Sequence, residues 1–280
     1  MAAGKRSLVT LTTDFGSEDG TVGMMKGVIL GINSDASIVD LTHDLPPQAI
    51  PPAAYVLRRA YQYFPRGTIH LVVVDPGVGT DRRPIVVQAP QASFVAPDNG
   101  VLTYVLDDLQ AAGHPLQFVH LDNPAYWLPQ VSRVFHGRDI FAPVAAHLSL
   151  GTPINDLGPP IDDPVRLPAP HLSRQPGKIT GQVMYIDHFG NLLTNIPAAD
   201  LPSLGNSVTT RVGQTKIHGL SPTFAHGSPG QPIAYVDSSG HLAIAAVNAS
   251  AQDLLESHVG ECVDVTSQHT THSSGGGSCD

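Results

Sequence analysis

The chain has 280 residues, 41% of them hydrophobic and only 14% charged, so it can bury a large core as one domain or two. Its 24 acidic residues against 15 Lys and Arg give a formal net charge of −9, which leaves no basic footprint for nucleic acid. No run reaches the roughly 18 apolar residues that a membrane span requires, and Met1 to Thr13 lacks the apolar core of a signal peptide before Asp14 interrupts it. Two cysteines, Cys262 and Cys279, do not make a disulfide framework. The expectation is a cytoplasmic protein with a small-molecule substrate and neither a nucleic-acid nor a membrane partner.

In chain order, Leu8 to Thr13 reads as a strand, and Val22, Met25, Ile29 and Ile32 then recur at helical spacing. Ser37 to Thr42 is a second strand. Pro51 and Pro52 suit a helix start, and Ala53, Leu57, Ala60 and Phe64 follow on one face. Thr68 to Val74 is a β-branched run, too short for a helix, and reads as a buried strand. This β-α-β-α-β order predicts a largely parallel sheet, extended by 85–87, 93–95 and 117–121. Asp139 is placed to cap a helix running to about Leu150, with Pro143 in its first turn. Seven prolines then crowd residues 153–176, which reads as a linker. Short β-rich pieces follow at 178–186, 192–196, 207–212, 232–236, 242–247 and 262–265, predicting a small barrel or sandwich. The expected domains are thus an α/β domain over 1–152, a linker over 153–176, a β-barrel domain over 177–266 and a disordered tail over 267–280.

The chemistry-bearing residues sit at the seams of these elements. The strand at 68–74 ends on Asp75, and the turn Pro76-Gly77-Val78-Gly79 leads to Arg82 and Arg83. Gly77 and Gly79 do not continue into a dinucleotide fingerprint, and the P-loop lysine is absent. What remains is a tight turn carrying either a salt bridge from Asp75 or part of a ligand site at the strand ends of an α/β sheet. His136, before Gly137 and a helix start, supplies an imidazole; carboxylate, guanidinium and imidazole form a plausible water-activating set. Asp14 admits three uses: a structural role in its loop, acceptance from two ribose hydroxyls, or metal coordination with Asp75, Asp98 and His136. In the second half, Asp187 and Asn191 could receive the ammonium and carboxylate of an amino acid, or simply form a hairpin turn. The stretch Asp237-Ser238-Ser239-Gly240 carries the same two readings.

Seven ordered motifs, Thr12–Gly16, Asp40–Pro46, Val74–Thr80, Ala96–Gly100, Phe135–Pro143, Ile186–Leu192 and Asp237–Gly240, resemble the adenosine-forming S-adenosylmethionine hydrolases, also called hydroxide adenosyltransferases. That family is related to the fluorinating and chlorinating enzymes acting on the same substrate. The resemblance covers roughly residues 7–266. It implies an N-terminal α/β domain, a C-terminal β-barrel, and a homotrimer with substrate between subunits. It also implies hydrolysis of S-adenosylmethionine to adenosine and methionine, with no cofactor and no metal. By resemblance, Asp75, Arg82 and His136 handle water and Asp14 holds the ribose diol. Asp187, Asn191 and Ser238 hold the methionine end, with Phe189 in its wall and Asn248 near the adenine. Halide-using relatives carry a tyrosine at the place of Asp75 and a hydroxyl residue at Val78, and the fluorinating branch replaces His136 and Gly137 by tyrosine and serine. This chain has the hydrolytic pattern at all four. The alternatives are a halide-dependent halogenase and a metal-dependent nucleoside or phosphate hydrolase.

Overall fold

The structure, a computed structural model, describes residues 7–205 and 207–267. It divides into two compact units, Met1–Leu167 and Pro168–Asp280.

The first unit contains strands β1 (Leu8–Thr13), β2 (Ser37–Thr42), β3 (Thr68–Val73), β4 (Pro84–Gln88), β5 (Ala92–Pro97) and β6 (Gln117–His120). Its helices are α1 (Thr21–Ile32), α2 (Ile50–Ala60), α3 (Thr103–Ala111) and α4 (Ala142–Ser149). The sheet order is β2-β1-β3-β5-β4-β6, with β1, β2, β3 and β5 parallel and β4 antiparallel to both neighbours. Alternating side chains feed two cores. Val9, Leu11, Ile69, Leu71 and Val73 pack with α1 and α4 on one face, while Val72, Val74, Ile85, Val87 and Phe94 pack with α2 and α3 on the other. A sheet buried on both faces explains the near-continuous apolar run of β3.

α3 was not foreseen, although Val101, Leu102, Val105, Leu106 and Leu109 are buried at helical spacing. The helix placed at Asp139 also differs. Gly137–Phe141 forms a π-helical turn leading into α4, and no side chain caps that helix. The Asp139 carboxylate turns inward instead. Residues 153–167, expected within a linker, lie against the first unit. His120 N donates to Pro159 O and Ile161 N to Phe118 O, while Val165 N reaches the Asp98 carboxylate at 2.8 Å. Prolines there remove donors from an edge segment that still pairs through its remaining N–H groups.

The second unit comprises β7 (Ser173–Gln175), β8 (Lys178–Ile186), β9 (Leu192–Pro197), β10 (Val208–Val212), β11 (Thr215–His218), β12 (Pro232–Val236), β13 (His241–Ala246), α5 (Ala251–Leu255) and β14 (Cys262–Ser267). The antiparallel order is β11-β10-β14-β8-β9-β13-β12, with β7 beside β8. The end strands β11 and β12 approach each other, and Ser221 N donates to Ala234 O across the gap, so the sheet is a nearly closed barrel. Ile179, Val183, Leu192, Ile196, Leu242, Ile244, Val263 and Val265 fill it. Ser267 ends β14, and the tail expected beyond it lies outside the described residues. Among the described residues, no helix is long and apolar enough to cross a membrane.

Candidate active site

In the sheet of the first unit, the chain runs to β2 on one side of β1 and returns to β3 on the other. The carboxyl ends of β1 and β3 therefore flank a point where strand order reverses, the usual ligand crevice of an open α/β sheet. Thr13 pairs with Val73, so Asp14, one residue beyond, and Asp75, two residues beyond, emerge at the same edge.

Asp75 meets Arg82 through both carboxylate oxygens: Nε donates to Oδ1 at 3.0 Å, and Nη2 donates to Oδ2. Nη2 also lies 3.3 Å from Nδ1 of His136. A guanidinium only donates, so Nδ1 is the acceptor and the neutral ring carries its proton on Nε2. The Asp75 and Arg82 side chains are only 5% and 7% exposed, and the Arg82 guanidinium stands over the Phe141 ring at 5.3 Å. Its Nη1 is buried without a protein hydrogen-bond partner among the described residues. Burial pushes the Asp75 carboxyl above its usual range, against the lowering by Arg82 and His136. Burial and then the Arg82 charge hold His136 below the usual imidazole value. The result is a carboxylate with increased proton affinity, a neutral imidazole and a fixed cation between them.

Local backbone geometry makes this convergence possible. Gly79 has φ +77°, and a Cβ there would overlap the Arg133 carbonyl oxygen. The 75–82 turn can thus lie directly on the segment that leads to His136. That segment is closed by Asp139, fully buried, whose carboxylate accepts from Ser132 N at 2.8 Å and Arg138 Nε at 2.6 Å. Burial acts to raise the Asp139 carboxyl, but those two donors hold it below the usual range. Gly79→Ala is expected to cost about 2 kcal/mol from left-handed strain and displacement, with reduced turnover. Urea unfolding and steady-state kinetics check it, and wild-type values in both would show that the close approach is dispensable.

Arg83, the neighbour of Arg82, instead pairs with Asp98 (Nη2 to Oδ2, 2.6 Å) and Asp163 (2.8 Å). Asp98 therefore ties down residues 163–165 and does not join Asp14 and Asp75. Among the described residues, no group of three or more His, Cys, Asp and Glu is arranged to hold a metal ion. Asp14 accepts from Gln48 N through Oδ2 at 2.6 Å, and its remaining acceptor capacity lies at the crevice edge. Phe15 stands edge-on to Phe135 at 5.9 Å, and both rings, with Met25, border Gly137 closely.

In the barrel, Asp187 and Asn191 are brought together. Asp187 Oδ1 accepts from Phe189 N and Asn191 N, and Oδ2 accepts from Asn191 Nδ2, each at 2.9 Å. The turn has a structural role whatever else it does, and it presents Phe189, 74% exposed. Asn248, exposed with φ +54°, follows β13 at the end near Leu192. Ser238 is not in this group. It sits between β12 and β13 beside Pro197, at the opposite end of the β9–β13 pair. With about 3.3 Å per residue, one amino-acid head group cannot meet both turns of one barrel.

Comparison with known proteins covers both halves of the sequence. Residues 9–158 match the SAM hydroxide adenosyltransferase N-terminal domain and residues 181–264 the C-terminal domain. A protein of Salinispora tropica named (R)-S-adenosyl-L-methionine hydrolase is 39% identical over 261 residues, covering 92% of this chain and 97% of the relative. A Thermus thermophilus protein of the same name is 38% identical, covering 88% and 94%. A fluorinase of an Actinoplanes species is 29% identical, covering 88% and 92%. The crystal structure of an uncharacterized conserved protein from Thermotoga maritima superposes with a TM-score of 0.86 at 36% identity, over 92% of this chain and 99% of that one. Both halves of the sequence and both units of the fold lead to one conclusion: the chain belongs to the SAM hydroxide adenosyltransferase family.

Proposed function

We propose that the chain hydrolyses S-adenosyl-L-methionine to adenosine and L-methionine, a water-derived oxygen attacking C5′ in line with the departing sulfur. The observation that carries this reading is the Asp75–Arg82–His136 set at the strand-order reversal, its acid and guanidinium buried and Arg82 Nη1 without an acceptor among the described residues. The leaving group departs from a sulfonium and becomes a neutral thioether, so no general acid is needed. The difficulty lies with the nucleophile, because bulk water has a pKa of about 15.7. Arg82 and the substrate's own sulfonium stabilise developing hydroxide, and Asp75, whose burial strengthens it as a base, receives the proton. Orientation adds to this, effective molarities in aligned systems reaching about 10⁵ M or more.

The names borne by the Salinispora and Thermus relatives support this reading over halogenation, as do the residues at Asp75, Val78, His136 and Gly137. No cofactor or metal takes part in it. Activity is therefore expected to survive a chelator; loss restored by a divalent ion would favour a metal-dependent hydrolase instead. The Asp187–Asn191 turn and the Ser238 turn contact different parts of the extended substrate, not one zwitterion. The assembly is a homotrimer in a cytoplasmic setting, with active sites between subunits, and light scattering should return three times the chain mass.

The deciding experiment is turnover in ¹⁸O-labelled water with mass analysis of the product. Adenosine carrying the label is expected; unlabelled adenosine, or a 5′-halo nucleoside at high chloride, would overturn the reading. Asp14→Ala is expected to weaken adenosine binding about tenfold or more through loss of the charged acceptor of the ribose diol. An unchanged dissociation constant by calorimetry removes Asp14 from that role.

A further inference from the structure

The segment Asp40–Pro46 belongs to the motifs of the family resemblance, yet none of its residues has a part in the reaction described so far. In the structure it reaches the Asp14 loop through a chain of polar groups whose inner members, Thr13 and His43, are buried. Thr13, fully buried, lies with Oγ1 2.8 Å from Nδ1 of His43, which is 8% exposed. Phe15 N donates to the same Thr13 oxygen at 3.3 Å. His43 Nε2 lies 3.1 Å from Asp40 Oδ1. Asp40 in turn is paired with Lys26 from α1 at 2.5 Å. The His43 backbone carbonyl accepts from Gly16 N at 2.8 Å. Slightly further on, Gln48, with φ +63°, gives its N–H to Asp14.

We propose that Thr13 and His43 are positioning residues for substrate binding, fixing the Asp14–Gly16 arc so that the Asp14 carboxylate faces the ribose diol. Neither touches substrate: Thr13 has no exposed surface, and His43 presents its ring nitrogens to Thr13 and Asp40. The arc between them is short. Asp14 is flanked by one residue whose hydroxyl is held by His43 and another whose N–H is held by that hydroxyl. Removing the hydroxyl releases both restraints and leaves the arc held by Gln48 N on Asp14 and by the Gly16 N bond to the His43 carbonyl. Phe15 moves with the same arc, and its ring borders Gly137 next to His136. The pair therefore connects the diol contact to the wall of the water-handling site.

This inference rests on the ribose role assigned to Asp14 above, and the test separates the two. Thr13→Val keeps the shape and removes only the hydroxyl; Thr13→Ser restores it. For Thr13→Val, KM for S-adenosylmethionine is expected to rise about tenfold with kcat within about threefold of wild type, a loss confined to binding. Thr13→Ser should return KM to near the wild-type value. By calorimetry, Thr13→Val should weaken adenosine about tenfold and leave 2′,3′-dideoxyadenosine unchanged, a difference that general loosening of the fold would not produce. Wild-type KM and adenosine affinity in Thr13→Val would overturn the proposal, as would equal weakening of both nucleosides. If the wild-type protein releases no adenosine from S-adenosylmethionine, the hydrolase reading fails while the nucleoside pair still decides this inference. If wild type binds the two nucleosides equally, the diol role and this proposal fall together.

Discussion

Asp75→Asn is expected to lower kcat by about 10²–10⁴. The amide has the carboxylate's shape but can accept from Arg82 through only one of its two terminal atoms. It cannot take a proton from water at neutral pH. The change also leaves the Arg82 guanidinium, 7% exposed, without its counter-charge, at an expected cost of about 3–5 kcal/mol in stability. The two effects are separable: kcat is measured at saturating S-adenosylmethionine on protein shown to be folded, and stability by urea unfolding. A variant that stays folded and turns over near the wild-type rate would exclude Asp75 as base. The pH profile gives a second view of the same set. Protonating His136 ends its acceptance from Arg82 Nη2 and adds a second cation beside the first. Because burial and Arg82 hold His136 below its ordinary value of 6.5, the acid limb of kcat should lie below pH 6.5. A limb centred above pH 7 would contradict this electrostatic assignment.

Much of the first unit was legible because its strands are short, β-branched and separated by amphipathic helices. Leu8–Thr13 and Ser37–Thr42 match their expected bounds, since turns and polar residues punctuate both ends. α3 escaped for a physical reason. Asn99 and Gly100 read as a loop, and the helix that follows is apolar on a broad face, with Thr103, Tyr104, Val105, Leu106 and Leu109 all buried. Its period is therefore weak. In the barrel, the short strands β7 and β11 carry too few residues for alternation to show.

For the site, sequence spacing held the carboxylate, guanidinium and imidazole as candidates but not their contacts. Nothing local states that Arg82 turns to Asp75 while Arg83 turns to Asp98. Arg83 is brought to Asp98 by pairing between distant segments, its carbonyl accepting from Asp98 N just beyond the β4–β5 ladder, and such pairing is not written in local spacing. Asp139 was misplaced because an acid before an apolar run is an ordinary helix-cap signal. Its burial became visible only once the π-helical turn brought it under the 132–136 loop. Ser238 shows the same limit in the barrel: strand register puts it away from Asp187, and register is a long-range property.

A second stability effect is expected from a residue with no part in the chemistry. His70, in β3, is fully buried. Its ring stacks on Phe94 at 5.2 Å and meets the edges of Tyr61 and Phe64. Nδ1 is 2.8 Å from Thr10 Oγ1, and Nε2 has no hydrogen-bond partner among the described residues. A charged imidazole there would hold an N–H between aromatic rings with no acceptor, so burial lowers its pKa to about 4. The unfolded chain binds the proton near pH 6.5 and the folded chain does not, so stability is fully present above pH 6.5 and is lost as pH falls toward 4. The loss amounts to about 3 kcal/mol, a large part of the roughly 5–15 kcal/mol typical of a folded domain. His136 and His147, also lowered, act with the same sign, while the raised Asp75 acts against it. His70→Phe keeps the aromatic stack, gives up the Thr10 contact and removes the titration. Urea midpoints at pH 7.5 and 4.5 should separate far less in this variant than in wild type. Parallel acid losses in both proteins would mean that His70 accepts its proton in the folded state.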